Sequence, residues 1–208
     1  MLGGSFRNPS LPFDFSSQKK EMGSHKNNSK MNKILFYSLI LLCFACNTSS
    51  NIDYSNRTPD EKGFLVKVGD KAPNFEMTMI DGTKTSLKAL KGKVVVLQFT
   101  ASWCGVCRKE MPHLENEVWL PNKDKDFVLI GVDRDEPLEK VIPFIEKMKT
   151  TYPVALDPGA DIFGLFASKK TGVTRNIVID KKGKIVFMTR LFKQDEFDAM
   201  KEKISSLL

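Results

Sequence analysis

The chain has 208 residues, of which 41% are hydrophobic and 27% charged, a composition that indicates one globular domain. Most of its net charge of +7 lies in the N-terminal segment. Residues 1–45 carry six basic and two acidic side chains, and the rest carries 26 basic against 23 acidic, a net charge of +3. This small excess forms no dense basic stripe, so it gives no reason to expect a nucleic-acid partner.

The first 46 residues are predicted to be a leader rather than part of the domain. Residues 1–30 are polar and without periodicity, which indicates either a start codon assigned too early, with Met31 the true start, or a disordered leader. Lys33 then precedes a twelve-residue apolar run, 34–45. A short basic segment followed by a run of that length is typical of a secretory signal and is too short to span a membrane.

The apolar run ends in Cys43-Phe44-Ala45-Cys46, where a small residue before a cysteine resembles a lipoprotein cleavage site. We therefore expect a signal peptide at 31–46 with Cys46 as the lipidated N-terminus, the alternative being ordinary signal cleavage. The predicted location is the periplasm or cell envelope, where disulfides persist. The polar residues 47–63 are predicted to be a flexible tether, and 64–208 the folded domain.

Hydrophobic patterning predicts the first elements of the domain. Residues 76–80 and 83–86 form a predicted hairpin, because Asp81-Gly82 between them suits a tight turn. A short helical turn is expected at 87–90. The β-branched run at 94–99 is predicted to be a buried strand.

The later elements alternate between strand and helix. Periodicity predicts a strand at 127–132, an amphipathic helix at 137–149, an extended piece at 152–156, a short helix at 160–167, a hairpin of 177–179 with 185–188, and a closing helix at 196–208. This order predicts an α/β fold with a central mixed sheet flanked by helices and an N-terminal β-hairpin extension. We expect the sheet to be parallel in the middle and antiparallel at one edge.

Trp103-Cys104-Gly105-Val106-Cys107 lies between the predicted strand at 94–99 and a helix. A cysteine at a helix N-terminus faces unpaired N–H groups and the positive end of the dipole, which favour its thiolate. We expect Cys104 to be an exposed nucleophile and Cys107 a shielded resolving thiol. A static disulfide and half of a zinc site are the alternatives. Since His25 and His113 are the only histidines and the predicted domain has no second CxxC, Cys43 and Cys46 belonging to the predicted signal peptide, neither a metal nor another cofactor is predicted.

Three segments carry a family resemblance: GDKAPNF at 69–75, FTASWCGVCRKEMPHL at 99–114 and GVTRNIVIDKKGKIV at 172–186. With them the chain resembles the thioredoxin superfamily, in particular its extracytoplasmic TlpA/ResA-like branch, which is related to the AhpC/TSA redoxins. The resemblance implies a thioredoxin-like fold and thiol–disulfide exchange with protein substrates, supported by a membrane electron donor. It also implies that Cys104 attacks, that Cys107 resolves, and that the two form a redox-active disulfide.

The resemblance implies supporting residues as well. Trp103 matches an aromatic residue beside the cysteines, and Glu110 an acid that tunes them or relays a proton, although a solvated glutamate at the helix start is the alternative. Gln98 stands where thioredoxins have a buried acid. Thr174 stands where the family has a cis-proline. We expect the loop of Thr174 to be trans or rebuilt, with a changed substrate groove and a dithiol more open to metal.

Three other functions are compatible with the same fold. A peroxiredoxin-like peroxidase is suggested by GDKAPNF and by Arg175 near the active-site loop, but Ala101 stands where a threonine is expected. A metal-binding module would need a downstream histidine, and none follows His113. A non-catalytic binding platform is favoured by the missing proline and disfavoured by the intact CxxC.

Overall fold

The computed structural model describes residues 57–208, which form a seven-stranded mixed sheet with helices on both faces. The strands are β1 (Glu76–Met79), β2 (Lys84–Ser86), β3 (Val94–Thr100), β4 (Phe127–Arg134), β5 (Val154–Asp157), β6 (Arg175–Ile179) and β7 (Ile185–Arg190), in the spatial order β2-β1-β5-β4-β3-β6-β7. The predicted signal peptide, Cys43 and Cys46 lie outside the described residues.

The sheet is parallel at its centre and antiparallel at both edges. Strand β4 runs parallel to β3 and to β5, whereas the β1–β2, β1–β5, β3–β6 and β6–β7 pairs are antiparallel. The prediction of one antiparallel edge was therefore wrong. The N-terminal hairpin joins the main sheet because β1 pairs with the otherwise unpaired side of β5, which also lets Met77 and Met79 become buried.

The helices are distributed unevenly over the two faces. They are α1 (Gly105–His113), α2 (Leu138–Met148), α3 (Asp161–Phe166) and α4 (Gln194–Ser205), with a 3₁₀ turn at Leu87–Leu90. Apolar side chains of α1, α2 and α4 share one core with Val94 and Val96 of β3. Those of α3 share the other core with Val95, Leu97 and Phe99. The alternation along β3 thus divides a fully buried strand between two cores.

Helix α1 changes its hydrogen-bonding pattern just after Pro112. Pro112 has no N–H to donate within the helix, so one hydrogen bond of the regular α-helical pattern is missing. The α-helix ends at His113 and passes into a π-helical stretch, Leu114–Trp119. At the junction the Leu114 N–H is shared between the carbonyls of Glu110 and Met111.

Part of the predicted tether contacts the domain. Arg57 forms an ion pair with Asp70 (2.5 Å), and the N–H of Ser168 donates to the carbonyl of Gly63 (2.9 Å). Gly63 is buried with φ +84°, and a Cβ there would lie 2.6 Å from Thr171, so only glycine fits without displacement. Within residues 57–208, no helix has the length and apolar character needed to cross a membrane.

Candidate active site

The two cysteines meet where β3 ends and α1 begins. Cys104 has an extended backbone (φ −81°, ψ 106°) and is the N-cap of α1, and its sulfur accepts a hydrogen bond from the N–H of Cys107 (3.2 Å). The two residues are joined by a disulfide with their Cα atoms 5.3 Å apart. The structure therefore holds the oxidised pair at the positive end of the helix dipole, where a thiolate is favoured after reduction.

The disulfide is more shielded than the sequence suggested. Cys104 was expected to be exposed, but only 8% of its surface is accessible, and Cys107 has none. The covering group is Thr174 in the loop before β6, whose Oγ1 lies 3.1 Å from the Cys104 sulfur and 3.2 Å from the Cys107 sulfur. Trp103 is 58% exposed. The Trp103 ring is therefore solvent-exposed beside a nearly buried disulfide.

The loop that carries Thr174 is built from trans peptides, since residues 57–208 contain no cis peptide bond. The Thr174 carbonyl accepts hydrogen bonds from the N–H of Leu191 (3.2 Å) and from the guanidinium of Arg190 (3.5 Å). Arg134 donates to the carbonyls of Lys169 (2.6 Å) and Thr171 (3.0 Å) in the same loop. Arginine side chains therefore hold a loop that has no proline to stiffen it.

Glu110 is buried rather than solvated. It lies one turn after Cys107 on α1 and is 1% exposed, and its Oε1 accepts a hydrogen bond from the amide of Asn176 on β6 (2.7 Å). Burial raises the pKa of the Glu110 carboxyl to about 7, although the hydrogen bond from Asn176 and the influence of the Gln98 amide act in the opposite direction. A carboxyl with a pKa near neutrality therefore lies in the interior one helical turn after Cys107, which excludes the alternative of a solvated glutamate.

Gln98 completes this buried polar cluster. Its side-chain oxygen accepts a hydrogen bond from the hydroxyl of Tyr152 (2.7 Å), and both residues are buried. The sequence showed that β3 lacks the acid that thioredoxins carry at this position. It did not show that Glu110 places a carboxyl in the same interior from α1 instead.

A second carboxylate, which the sequence analysis missed, holds the loop before Cys104. Glu136 is buried, and its carboxylate accepts hydrogen bonds from the N–H and the hydroxyl of Ser102, the latter at 2.6 Å. Ser102 follows β3, and Glu136 follows the parallel neighbour β4, so both lie at the same edge of the sheet. The sequence did hold a signal for this contact. Polar residues that directly follow two adjacent parallel strands lie at the same edge of the sheet and are expected to be close to each other.

Asp133, at the same edge, is also buried and was not predicted. Neither of its carboxylate oxygens is hydrogen bonded within the described part of the chain. Burial, with added repulsion from Glu136 and Asp157, raises the pKa of Asp133 to about 8. The side chain is therefore mostly protonated at neutral pH.

Arg175 does not support the peroxidase alternative. Its guanidinium donates to the carbonyls of Gly172 and Lys62 and to the hydroxyl of Thr171, and it lies 5.0 Å from the centre of the Phe64 ring. Within residues 57–208 no hydrogen bond joins it to either sulfur. The role that its geometry indicates is to anchor the chain before β6.

The described residues contain no group of three His, Cys, Asp or Glu side chains placed to hold a metal ion. The arrangement is a dithiol couple at a helix N-terminus, with the Thr174 hydroxyl in contact with both sulfurs and the buried Glu110 carboxyl one helical turn after Cys107. Such a couple can take part in thiol–disulfide exchange through a mixed disulfide.

Comparison with known proteins agrees with this chemistry. The Redoxin family profile matches residues 67–204. The thiol-disulfide oxidoreductase ResA of Bacillus cereus is 36% identical over 157 residues, which are 76% of this chain and 87% of ResA.

Two solved structures share the fold. A candidate protein disulfide isomerase from Bacteroides thetaiotaomicron is 54% identical, with a TM-score of 0.69 over 70% of this chain and 92% of that one. A candidate thiol:disulfide interchange protein DsbE from Chlorobium tepidum is 28% identical, with a TM-score of 0.59 over 68% of this chain and 98% of that one.

Proposed function

Because the chain belongs to the Redoxin family and is a thiol–disulfide oxidoreductase, we propose that Cys104 and Cys107 are its reacting groups and that its substrates are disulfides of exported proteins. The observation that carries the assignment is the Cys104–Cys107 disulfide at the N-terminus of α1. Cys104 retains 8% of its surface exposed and Cys107 none, so a substrate meets Cys104 first.

The first step is attack by the reduced enzyme. The Cys104 thiolate attacks one sulfur of the substrate disulfide, forms a mixed disulfide with it and releases the other substrate sulfur as a thiolate, which takes a proton from water. The helix dipole and the Cys107 N–H stabilise the attacking thiolate. Trp103, exposed next to Cys104, offers apolar surface to the substrate chain.

The second step returns the enzyme to the state seen in the structure. Cys107 loses its proton and attacks the Cys104 sulfur, which closes the disulfide and releases the remaining substrate thiolate. Two electrons have then passed from the enzyme dithiol to the substrate. A membrane electron donor would reduce the pair again by the same exchange in the opposite direction.

Glu110 is the proposed proton acceptor in the second step. It lies one helical turn after Cys107, and a carboxyl with a pKa of about 7 exchanges protons readily at neutral pH. As a carboxylate it also raises the pKa of a neighbouring thiol by repulsion. Protonation of Glu110 and formation of the thiolates are therefore coupled.

Export and anchoring are part of the same proposal. Residues 31–46 would be a signal peptide, Cys46 would carry the lipid, and the following polar residues would be the tether up to the domain. The support is the sequence pattern alone: a lysine, a twelve-residue apolar run, and alanine before cysteine. Membrane fractionation of cells that express the full chain or its C46A variant tests it. Loss of the protein from the membrane in C46A supports lipidation, and unchanged membrane association contradicts it.

The activity is tested by reduction of insulin with dithiothreitol as the electron source. The full chain should accelerate precipitation of the insulin B chain, and C104S should abolish the acceleration. A full chain that is folded, reducible and inactive in this assay would contradict the proposal of protein disulfide substrates.

A further inference from the structure

The hydroxyl of Thr174 contacts both reacting sulfurs at nearly the same distance. Oγ1 lies 3.1 Å from the Cys104 sulfur and 3.2 Å from the Cys107 sulfur, and the residue is 2% exposed. No other side-chain hydroxyl of the described residues is hydrogen bonded to either cysteine. The contact is therefore a buried one, within reach of both atoms that act as nucleophiles.

How strongly the Thr174 hydroxyl stabilises the cysteine pair depends on whether the pair is oxidised or reduced. A hydroxyl has one hydrogen to donate and two lone pairs, and a disulfide sulfur is a weak acceptor that has no hydrogen. After reduction, a thiolate is a charged acceptor and a thiol is a donor, so the same hydroxyl gains a strong hydrogen bond and a second, weaker one. The Thr174 hydroxyl therefore stabilises the reduced pair more than the oxidised pair.

We propose that Thr174 is a catalytic residue whose hydroxyl donates its hydrogen to whichever cysteine sulfur is the nucleophile. This inference rests on the proposed function and extends it to the stabilisation of the two thiolates. In the reduced enzyme the hydroxyl donates to the Cys104 thiolate and accepts from the Cys107 thiol.

The hydroxyl then changes partner during the reaction. Once Cys104 is in the mixed disulfide it has no negative charge, and the Thr174 hydrogen turns to the thiolate that forms on Cys107 as its proton leaves to Glu110. Cys107 attacks Cys104, the enzyme disulfide forms, and the substrate thiolate departs. The hydroxyl keeps its own proton throughout, so the electron and proton balance of the exchange is unchanged.

The backbone around Thr174 fixes the hydroxyl in place. The Thr174 carbonyl is held by the Leu191 N–H (3.2 Å) and by Arg190 (3.5 Å). Gly172 lets Arg190 approach, because a Cβ there would lie 2.8 Å from the Arg190 guanidinium. Because these contacts use the backbone carbonyl, the Thr174 hydroxyl remains available to hydrogen bond with the two sulfurs.

The test compares T174V, which removes the hydroxyl and keeps the shape, with T174S, which keeps the hydroxyl, and with T78V, the same change on β1. Trypsin releases residues 94–108 as one peptide that contains Cys104 and Cys107 and no other cysteine. The rate at which iodoacetamide alkylates Cys104 in the reduced full chain, read from this peptide by mass spectrometry across pH, gives the thiolate pKa.

T174V should raise the Cys104 pKa by about one unit or more, which lowers the thiolate fraction about tenfold at pH values below the pKa. A tenfold loss of reduced-state stabilisation lowers the midpoint potential by about 30 mV. T174S and T78V should remain close to the wild type in both quantities.

A Cys104 pKa and a midpoint potential that are the same in T174V and the wild type would overturn the inference. If T174V does not fold, T174A removes the same hydroxyl and is read in the same way. Failure of the proposed function would show differently, as a wild-type chain unable to reduce insulin whatever the pKa of Cys104.

Discussion

The carboxyl of Glu110 on α1 and the amide of Asn176 on β6 are joined by a hydrogen bond of 2.7 Å in the protein interior. This contact connects the active-site helix to the strand that follows the Thr174 loop. It leaves one carboxylate oxygen, Oε2, without a hydrogen bond among the described residues. The charged form of Glu110 is therefore costly in the folded state, and two predictions follow from its titration.

The first prediction concerns stability. Burial raises the pKa of Glu110 from 4.5 to about 7, so between these values the folded state keeps a proton that the unfolded state has lost. The contribution of Glu110 to stability is thus fully present below about pH 4.5 and is lost as pH rises through about 7, by roughly 3 kcal/mol. In urea titrations, E110Q should gain stability relative to the wild type between about pH 4.5 and pH 8. The exposed E139Q is the control, and parallel curves for E110Q and the wild type would contradict the assignment.

The second prediction concerns the rate of disulfide closure. If Glu110 accepts the Cys107 proton, the decay of a preformed mixed disulfide should accelerate in the wild type as pH rises through about 7. E110Q should lose this inflection and decay about tenfold more slowly or worse at neutral pH. Stopped-flow mixing at a series of pH values measures it. An unchanged inflection in E110Q would assign the titration to another group.

Removal of the resolving thiol should trap the substrate. In C107S the Cys104 thiolate can still attack a substrate disulfide, but no second thiol closes the enzyme disulfide. Non-reducing mass spectrometry of C107S after incubation with insulin should show a Cys104–insulin adduct that dithiothreitol releases. C104S is the control and should form none, and a stronger adduct through Cys107 would reverse the assigned order.

The contact between Glu136 and Ser102 should support the active-site loop. E136A leaves two donors of Ser102 without their charged acceptor, which should lower the free energy of unfolding by about 2 kcal/mol and reduce insulin reduction. The matched variant E139A removes an exposed carboxylate three residues further on and should change neither quantity. Equal behaviour of E136A and E139A would show that the contact does not hold the loop.

Asp133 should destabilise the fold at neutral pH. Its pKa is raised to about 8, chiefly by burial, so its contribution to stability is present below about pH 4 and is lost as pH rises through about 8. D133N cannot ionise and should be about 2–4 kcal/mol more stable than the wild type at pH 7. Chemical denaturation measures this. A D133N that is less stable than the wild type at pH 7 would contradict a mostly buried, unsatisfied carboxyl.

The parts of the site that the sequence predicted are local in the chain. The strand before Trp103 and the two cysteines at a helix start depend on neighbouring residues, and patterning was sufficient for them. The pairing of β1 with β5 was missed because no signal within the hairpin shows which edge it joins.

The active-site contacts that hydrophobic patterning did not predict join residues that are far apart in the sequence. The buried Glu110 is hydrogen bonded to Asn176, 66 positions away, and Ser102 is hydrogen bonded to Glu136, 34 positions away. The Thr174 hydroxyl that contacts the Cys104 sulfur is likewise 70 positions away. Such contacts depend on which strands and helices are neighbours, which the hydrophobic periodicity of a single segment does not show.

The most direct test of the account is the midpoint potential of the Cys104–Cys107 couple in the full chain. Equilibration in dithiothreitol or glutathione buffers, quenching by alkylation and quantification of the tryptic peptide 94–108 report this pair alone. A reacting couple should titrate as a two-electron Nernst curve with a midpoint between about −270 and −120 mV. A pair that stays oxidised below about −300 mV would be a structural disulfide, and the proposed roles of Cys104 and Cys107 would then be wrong.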